Sequence, residues 1–178
     1  EGRALVLFTS YESLKSSYDA CFSGLLRSGI NLYKQGDDDR FRLLEKFKKD
    51  THSVLFGTYS FWEGVDVPGD ALSHVIIVKL PFGVPSDPVF AARSEAITKR
   101  GGSSFMELSV PEAVIKFRQG FGRLMRKSTD KGVVTILDKR LITKRYGSIF
   151  INSIPHTKVC YESISLICSK IQNLLDTN

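Results

Sequence analysis

Four short, unbroken apolar runs separated by longer stretches with helical spacing leave this chain few folds to choose from. The runs are Ala4–Thr9 (ALVLFT), Val54–Thr58 (VLFGT), His74–Leu80 (HVIIVKL) and Gly132–Leu137 (GVVTIL). A strand wetted on one face alternates apolar with polar residues, and these do not. They read as strands covered on both faces, as in a parallel sheet between helical layers. The intervening stretches supply the helices. Leu14, Tyr18, Cys21, Phe22 and Leu25 recur at helical spacing from about Tyr11 to Arg27, and Ser28-Gly29 ends that run. Ile30–Tyr33 is a brief strand candidate, followed by a turn at Gln35-Gly36. Asp37–Asp39 then supply capping charge for a helix through Phe41, Leu44 and Phe47. Pro81, Pro85 and Pro88 hold an irregular connection before a helix near Val89–Lys99, and Arg100–Ser104 reads as a loop. A strong helix is expected from Pro111 to about Lys127, with proline in its first turn. The tail reads as an amphipathic helix with Ile164, Ile167, Cys168, Ile171, Leu174 and Leu175 on one face. With no internal repeat and no linker, residues 1–178 are expected to form one α/β domain. In such sheets, ligands gather at the loops leaving the carboxyl ends of the strands.

Charge narrows the class of partner. The net charge is +6, and its distribution is uneven. Lys116 to Arg145 holds ten basic residues against Asp130 and Asp138, so this stretch is +8 and the remainder −2. Concentrated positive charge suits nucleic acid or nucleotide phosphate, and equally fits a solvated basic surface. No run approaches the roughly 20 apolar residues of a membrane helix, so no membrane partner is expected. Glu1-Gly2-Arg3 leads straight into a strand without a leader or an initiator Met, which fits a fragment of something longer. Cys21, Cys160 and Cys168 are scattered. They form no CxxC pair and are too few for a four-cysteine iron–sulfur site. Cys21 and Cys168 sit among apolar residues and read as small core hydrophobes. Reduced thiols point to a cytoplasmic location.

Three segments carry candidate chemistry. The first is Gln119-Gly-Phe-Gly122-Arg123-Leu-Met-Arg126. At 100° per residue, Gln119, Arg123 and Arg126 fall within about 60° of one another, with Val110, Val114, Phe117, Phe121 and Leu124 opposite. Two arginines one turn apart can grip a triphosphate and offset the charge that develops in phosphoryl transfer; a wet basic face would show the same spacing. The second, Thr58–Gly69, directly follows a strand. Hydroxyls of Thr58 and Ser60 can bond phosphate oxygens, Gly64 permits a tight turn and Asp66 can accept from sugar hydroxyls. Phe61 and Trp62 either stack on bases or plug the core, and the core reading is preferred for one of them. The third is Phe8-Thr9-Ser10-Tyr11, where Ser10 suits an N-cap and free amides nearby suit a phosphate. Missing are a GxxxxGK[ST] loop, any Gly-Lys dipeptide and an Asp-Glu pair after a strand. His52, His74 and His156 support no nucleophilic triad. The chain is not expected to be a complete nucleotide hydrolase.

Taken in order, these segments resemble the C-terminal motor domain of superfamily 2 helicases. Ala4–Tyr11 resembles motif IV, Thr58–Gly69 motif V, and Gln119–Arg126 motif VI, QxxGRxxR, without a departure. The wording FWEGVDVPG and LPFGVPSDPV is closer to DinG-like than to XPD-like members, and the similarity runs from about residue 4 to Pro155. The resemblance implies a RecA-like three-layer α/β/α fold with a mostly parallel sheet. It implies that Arg123 and Arg126 reach across a cleft to ATP, and that Gln119 and Gly122 border the same nucleotide. Gly64 and Asp66 would lie near the ribose and the domain interface. Ser10, Tyr11, Thr58, Ser60 and Trp62 would face single-stranded DNA. ATP with Mg2+ would be held mainly by an N-terminal motor domain of the same chain; DinG-like proteins often carry an iron–sulfur cluster in that other half, and some carry an exonuclease domain instead. No metal or iron–sulfur site is expected in these residues. The family implies 5′-to-3′ translocation and work in DNA repair or replication. An ATP-independent nucleic-acid-binding module and a degenerate interaction domain are the competing readings. The intact Gln-Arg-Arg spacing favours the helicase, because a pure binder needs charge but not that register.

Overall fold

A computed structural model describes residues 2–62, 67, 71–122, 124, 132–155 and 157–176. The four expected strands form, each shorter than its apolar run or shifted by a residue: β1 (Ala4–Leu7), β3 (Ser53–Gly57), β4 (His74–Ile77) and β5 (Val133–Ile136), with the brief strand β2 at Asn31–Lys34. They make one sheet in the order β2-β3-β1-β4-β5, and every pairing is parallel. Registers such as Leu5↔Leu55 and Leu5↔Val75 keep apolar residues level across the sheet.

Helix starts follow the caps. Ser10 caps α1 (Tyr11–Arg27), Asp39 caps α2 (Arg40–Lys49) and Asp87 caps α4 (Pro88–Lys99), each side chain accepting a backbone N–H of the first turn. Four short elements have no counterpart among the sequence-based expectations: α3 (Tyr59–Trp62), a π-helical turn at Phe105–Ser109, α6 (Arg140–Thr143) and α7 (Gly147–Asn152). Each is too short for a hydrophobic period to show. Helix α5 spans Val110–Phe121 and is capped by Gly122, so the described helix stops short of the expected end at Lys127. On its inward face Val110, Phe117 and Phe121 are buried as expected, Val114 is partly buried, and Leu124 is buried just beyond the helix.

The sheet divides two apolar layers. Leu5, Leu7, Leu55, Val75 and Ile77 point into the larger one, against Leu43 and Phe47 of α2, Phe61 and Trp62 of α3, Phe117 of α5 and Phe150 of α7. Ala4, Val6, Phe8, Leu32, Val54 and Phe56 point the other way, toward Leu14, Tyr18 and Leu25 of α1. On that second face, His74 of β4 bonds Thr135 of β5 through Nε2 at 2.8 Å.

Two expectations about the core are corrected. Cys21 and Cys168 are exposed, as is Cys160. Cys21 lies on α1, whose only buried residue is Leu14, and Cys168 lies on α8 (Ile164–Asp176), whose apolar row stays unburied, with Ile164 73% exposed. Helical spacing identifies an apolar face but not whether anything covers it.

Candidate functional site

Because all five strands run the same way, the loops after β1, β2, β3, β4 and β5 leave along one rim, and Ser10, Tyr11, Thr58 and Ser60 follow β1 and β3 onto it. After β1, Ser10 is exposed and its Oγ accepts the Ser13 amide at 3.3 Å, while Tyr11 is half exposed. After β2 and β3 the rim is closed: Gln35 Oε1 accepts both the amide and the hydroxyl of Thr58, each at 2.8 Å. Thr58 is nearly buried and its one hydroxyl proton is spent on Gln35, which leaves it nothing to donate to a phosphate. Ser60, two residues on, is exposed.

The expectation that Trp62 meets DNA is corrected. Trp62 and Phe61 are both 1% exposed, and the Trp62 indole N–H donates to the Phe8 carbonyl at 3.2 Å. Residues 59–62 are wound into α3, which turns both rings inward. The fit is tight. A Cβ on Gly57 would lie 2.5 Å from Phe61 Cγ, and one on Gly120 would lie 2.9 Å from Trp62 Cε3. The first glycine of the Gln119–Arg126 segment is therefore small because the Trp62 ring occupies the space of its side chain.

This contact sets the height of α5 on the sheet, and with it the position of Gln119. The Gln119 side-chain oxygen is buried and, among the described residues, accepts no hydrogen bond. Gly122 is exposed and closes the helix, its N–H donating to the Arg118 carbonyl at 2.8 Å. Arg123, Arg126, Gly64 and Asp66 lie outside the described residues. Of the expected nucleotide group, Gln119 and Gly122 are thus placed side by side at the end of α5. Ser10, Tyr11 and Ser60 are placed on the open rim.

Several rim residues went unnoticed in the sequence. Asp138, at the end of β5, accepts the Leu80 amide at 2.9 Å and holds Arg140, whose guanidinium lies 5.3 Å from the centre of the Phe82 ring. Burial alone would raise the Asp138 carboxyl, but the bonds from Arg140 and the Leu80 amide outweigh it and hold it below the usual carboxylate range. The Tyr59 hydroxyl donates to the Phe82 carbonyl at 3.0 Å, and burial raises its pKa. Lys116 sits 4.9 Å from the centre of the Tyr59 ring. Asp138 and Lys116 stood out in the sequence only as charges to be counted. Among the described residues, no group of three or more His, Cys, Asp or Glu could hold a metal ion. No helix among them is long and apolar enough to cross a membrane.

Residues 1–157 match the family described as the helicase C-terminal domain. The ATP-dependent DNA helicase YoaA of Haemophilus influenzae is 47% identical over 157 residues, covering 88% of this chain and 24% of the relative. The 3′-5′ exonuclease DinG of Bacillus subtilis is 45% identical over 159 residues, covering 88% of this chain and 17% of the relative. The chain thus spans about a quarter or less of the length of these relatives. A solved XPD helicase superposes with a TM-score of 0.64 at 23% identity, over 89% of this chain and 28% of that one. That likeness shows the fold, the RecA-like α/β arrangement of a helicase motor domain.

Proposed function

Because the chain belongs to the helicase C-terminal domain family, on its DinG/XPD-like side, we propose that it is the second motor domain of an ATP-dependent DNA helicase. On this reading it closes on ATP held by a preceding motor domain and grips single-stranded DNA along its rim. The observation that carries the nucleotide half is the Gln119 oxygen. A buried acceptor without a donor costs about 1–3 kcal/mol, and a glutamine beside an open helix end can recover that from a ligand's amino or hydroxyl group. It stands next to the segment that leads into Arg123 and Arg126. ATP brings phosphoryl chemistry when bound; this chain's part is to present charge to it. Two guanidinium groups, always protonated and fork-shaped, oppose the negative charge that builds on the transferring phosphoryl group. Magnesium would be held by the preceding motor domain. Gly64 and Asp66 would approach the ribose, and exposed Ser10, Tyr11 and Ser60 would meet the DNA backbone. Work in DNA repair belongs to the same proposal.

The test is DNA-stimulated ATP hydrolysis by the complete polypeptide carrying Arg123→Ala and Arg126→Ala. Removing a phosphate-directed arginine is expected to cut turnover by roughly 10³-fold, with Lys a poor substitute because it lacks the planar fork. Turnover at the wild-type rate in the double variant would leave only a solvated basic face.

A further inference from the structure

Beside the rim lies a cleft of about 310 Å³, bounded by α3, by the Gly83–Asp87 loop and by the facing sides of α4 and α5. We infer that this cleft is a slot for one deoxynucleotide of a single strand, with Lys116 taking its phosphate and Val84, Val89 and Phe90 facing its base. The inference rests on the reading that a DNA strand runs along this rim, and adds a phosphate grip that none of the helicase motifs supplies.

The charges in the cleft single out one cation. Glu112, one turn before Lys116 on α5, is taken by Arg93, which reaches over from α4. The Asp87 carboxylate is spent on the α4 cap, accepting the Phe90 amide at 2.8 Å. Lys116 is left with the Tyr59 ring and no carboxylate among the described residues. Tyr59 is held in place by the bond from its hydroxyl to the Phe82 carbonyl and by packing against the core. The ring therefore fixes an ammonium group at the cleft without neutralising it, which is what a single phosphodiester requires.

The opposite wall is apolar and open. Val84 is 52% exposed and Val89 68%, and Phe90 is half-buried beside them. All three line the cleft. The volume is at the low end for small-molecule clefts, ~300–1,000 Å³, so it admits one nucleotide and not a duplex. Ser60, next to Tyr59 on the same turn, is exposed.

The measurement is nucleotide-free binding of the complete polypeptide to oligothymidylate, and to the same backbone with abasic sites, across a salt series. Lys116→Ala is expected to weaken oligothymidylate binding roughly tenfold, as removal of one charge-assisted bond should. The slope of log affinity against log salt should fall by about one, since the variant neutralises one phosphate fewer. Lys116→Arg should restore both, and Val89→Asp should weaken oligothymidylate binding far more than abasic binding. Wild-type affinity and slope in Lys116→Ala would overturn the slot while leaving DNA binding along the rim intact. A wild-type protein that binds no oligothymidylate would overturn both the slot and the reading beneath it.

Discussion

Helix α5 has an inner side on which every group is used and an outer side on which several are not. On the inner side Val110, Ala113 and Phe117 are at most 1% exposed, and Gly120 gives its side-chain space to Trp62. On the outer side, among the described residues, the Gln119 oxygen has no hydrogen-bond partner and Lys116 meets an aromatic ring and no carboxylate. The inner side fixes where the helix lies and has no chemistry to offer. The outer side tolerates change in the fold and holds the polar groups a ligand could complete. A substitution should therefore damage either stability or binding, according to the side it falls on, and seldom both.

Trp62→Ala should test the inner side most severely. It removes a fully buried indole and leaves the Phe8 carbonyl without its donor. A drop of about 3–5 kcal/mol is expected in urea unfolding. A change below about 1 kcal/mol, less than burial of such a ring should be worth, would mean that the Trp62–Gly120 packing does not set the position of α5.

A smaller effect should appear with pH, away from α5. Burial lowers the His74 pKa from 6.5 to about 4. The unfolded chain therefore takes up a proton at higher pH than the folded one. The stability of the neutral ring is full above about pH 6.5 and is lost as pH falls toward 4, by up to about 3 kcal/mol, less whatever its residual exposure screens. Asp138, held below the usual range, contributes only at lower pH still. His74→Gln should flatten the stability profile between pH 6.5 and 4; an unchanged profile would show that another group is responsible.

The smallest effect belongs to the rim. Ser10→Ala should cost about 1 kcal/mol through removal of the α1 cap. If DNA also uses its hydroxyl, oligothymidylate binding should weaken beyond what the drop in stability explains. A cap-only role predicts no such excess.

What the sequence made legible follows from the same division. The strands were readable because a parallel strand buried on both faces has no polar alternate positions, as Ala4–Leu7 and Ser53–Gly57 show. The starts of α1 and α2 were readable because Ser10 and Asp39 act through amides within three residues; Asp87, which caps α4 in the same way, passed unnoticed among the prolines. Cys21 and Cys168 were misjudged because an apolar row says nothing about what lies opposite it. Trp62 was ambiguous because one short turn, α3, decides whether the ring points in or out. The role of Gly120 was invisible, since its constraint comes from a ring 58 positions earlier. Lys116 looked like any surface lysine until Arg93 had claimed Glu112 and Tyr59 had come to lie beneath it.

If the end of α5 serves nucleotide while the rim beside it serves DNA, the two activities should separate by substitution. The most direct test measures ATP turnover and nucleotide-free oligothymidylate binding together, on the complete polypeptide carrying either Arg123→Ala with Arg126→Ala, or Lys116→Ala. The arginine variant should lose turnover by roughly 10³-fold and keep its DNA affinity. The lysine variant should lose DNA affinity roughly tenfold and, at saturating DNA, keep its turnover. Parallel loss of both activities in both variants, with folding intact, would contradict the division.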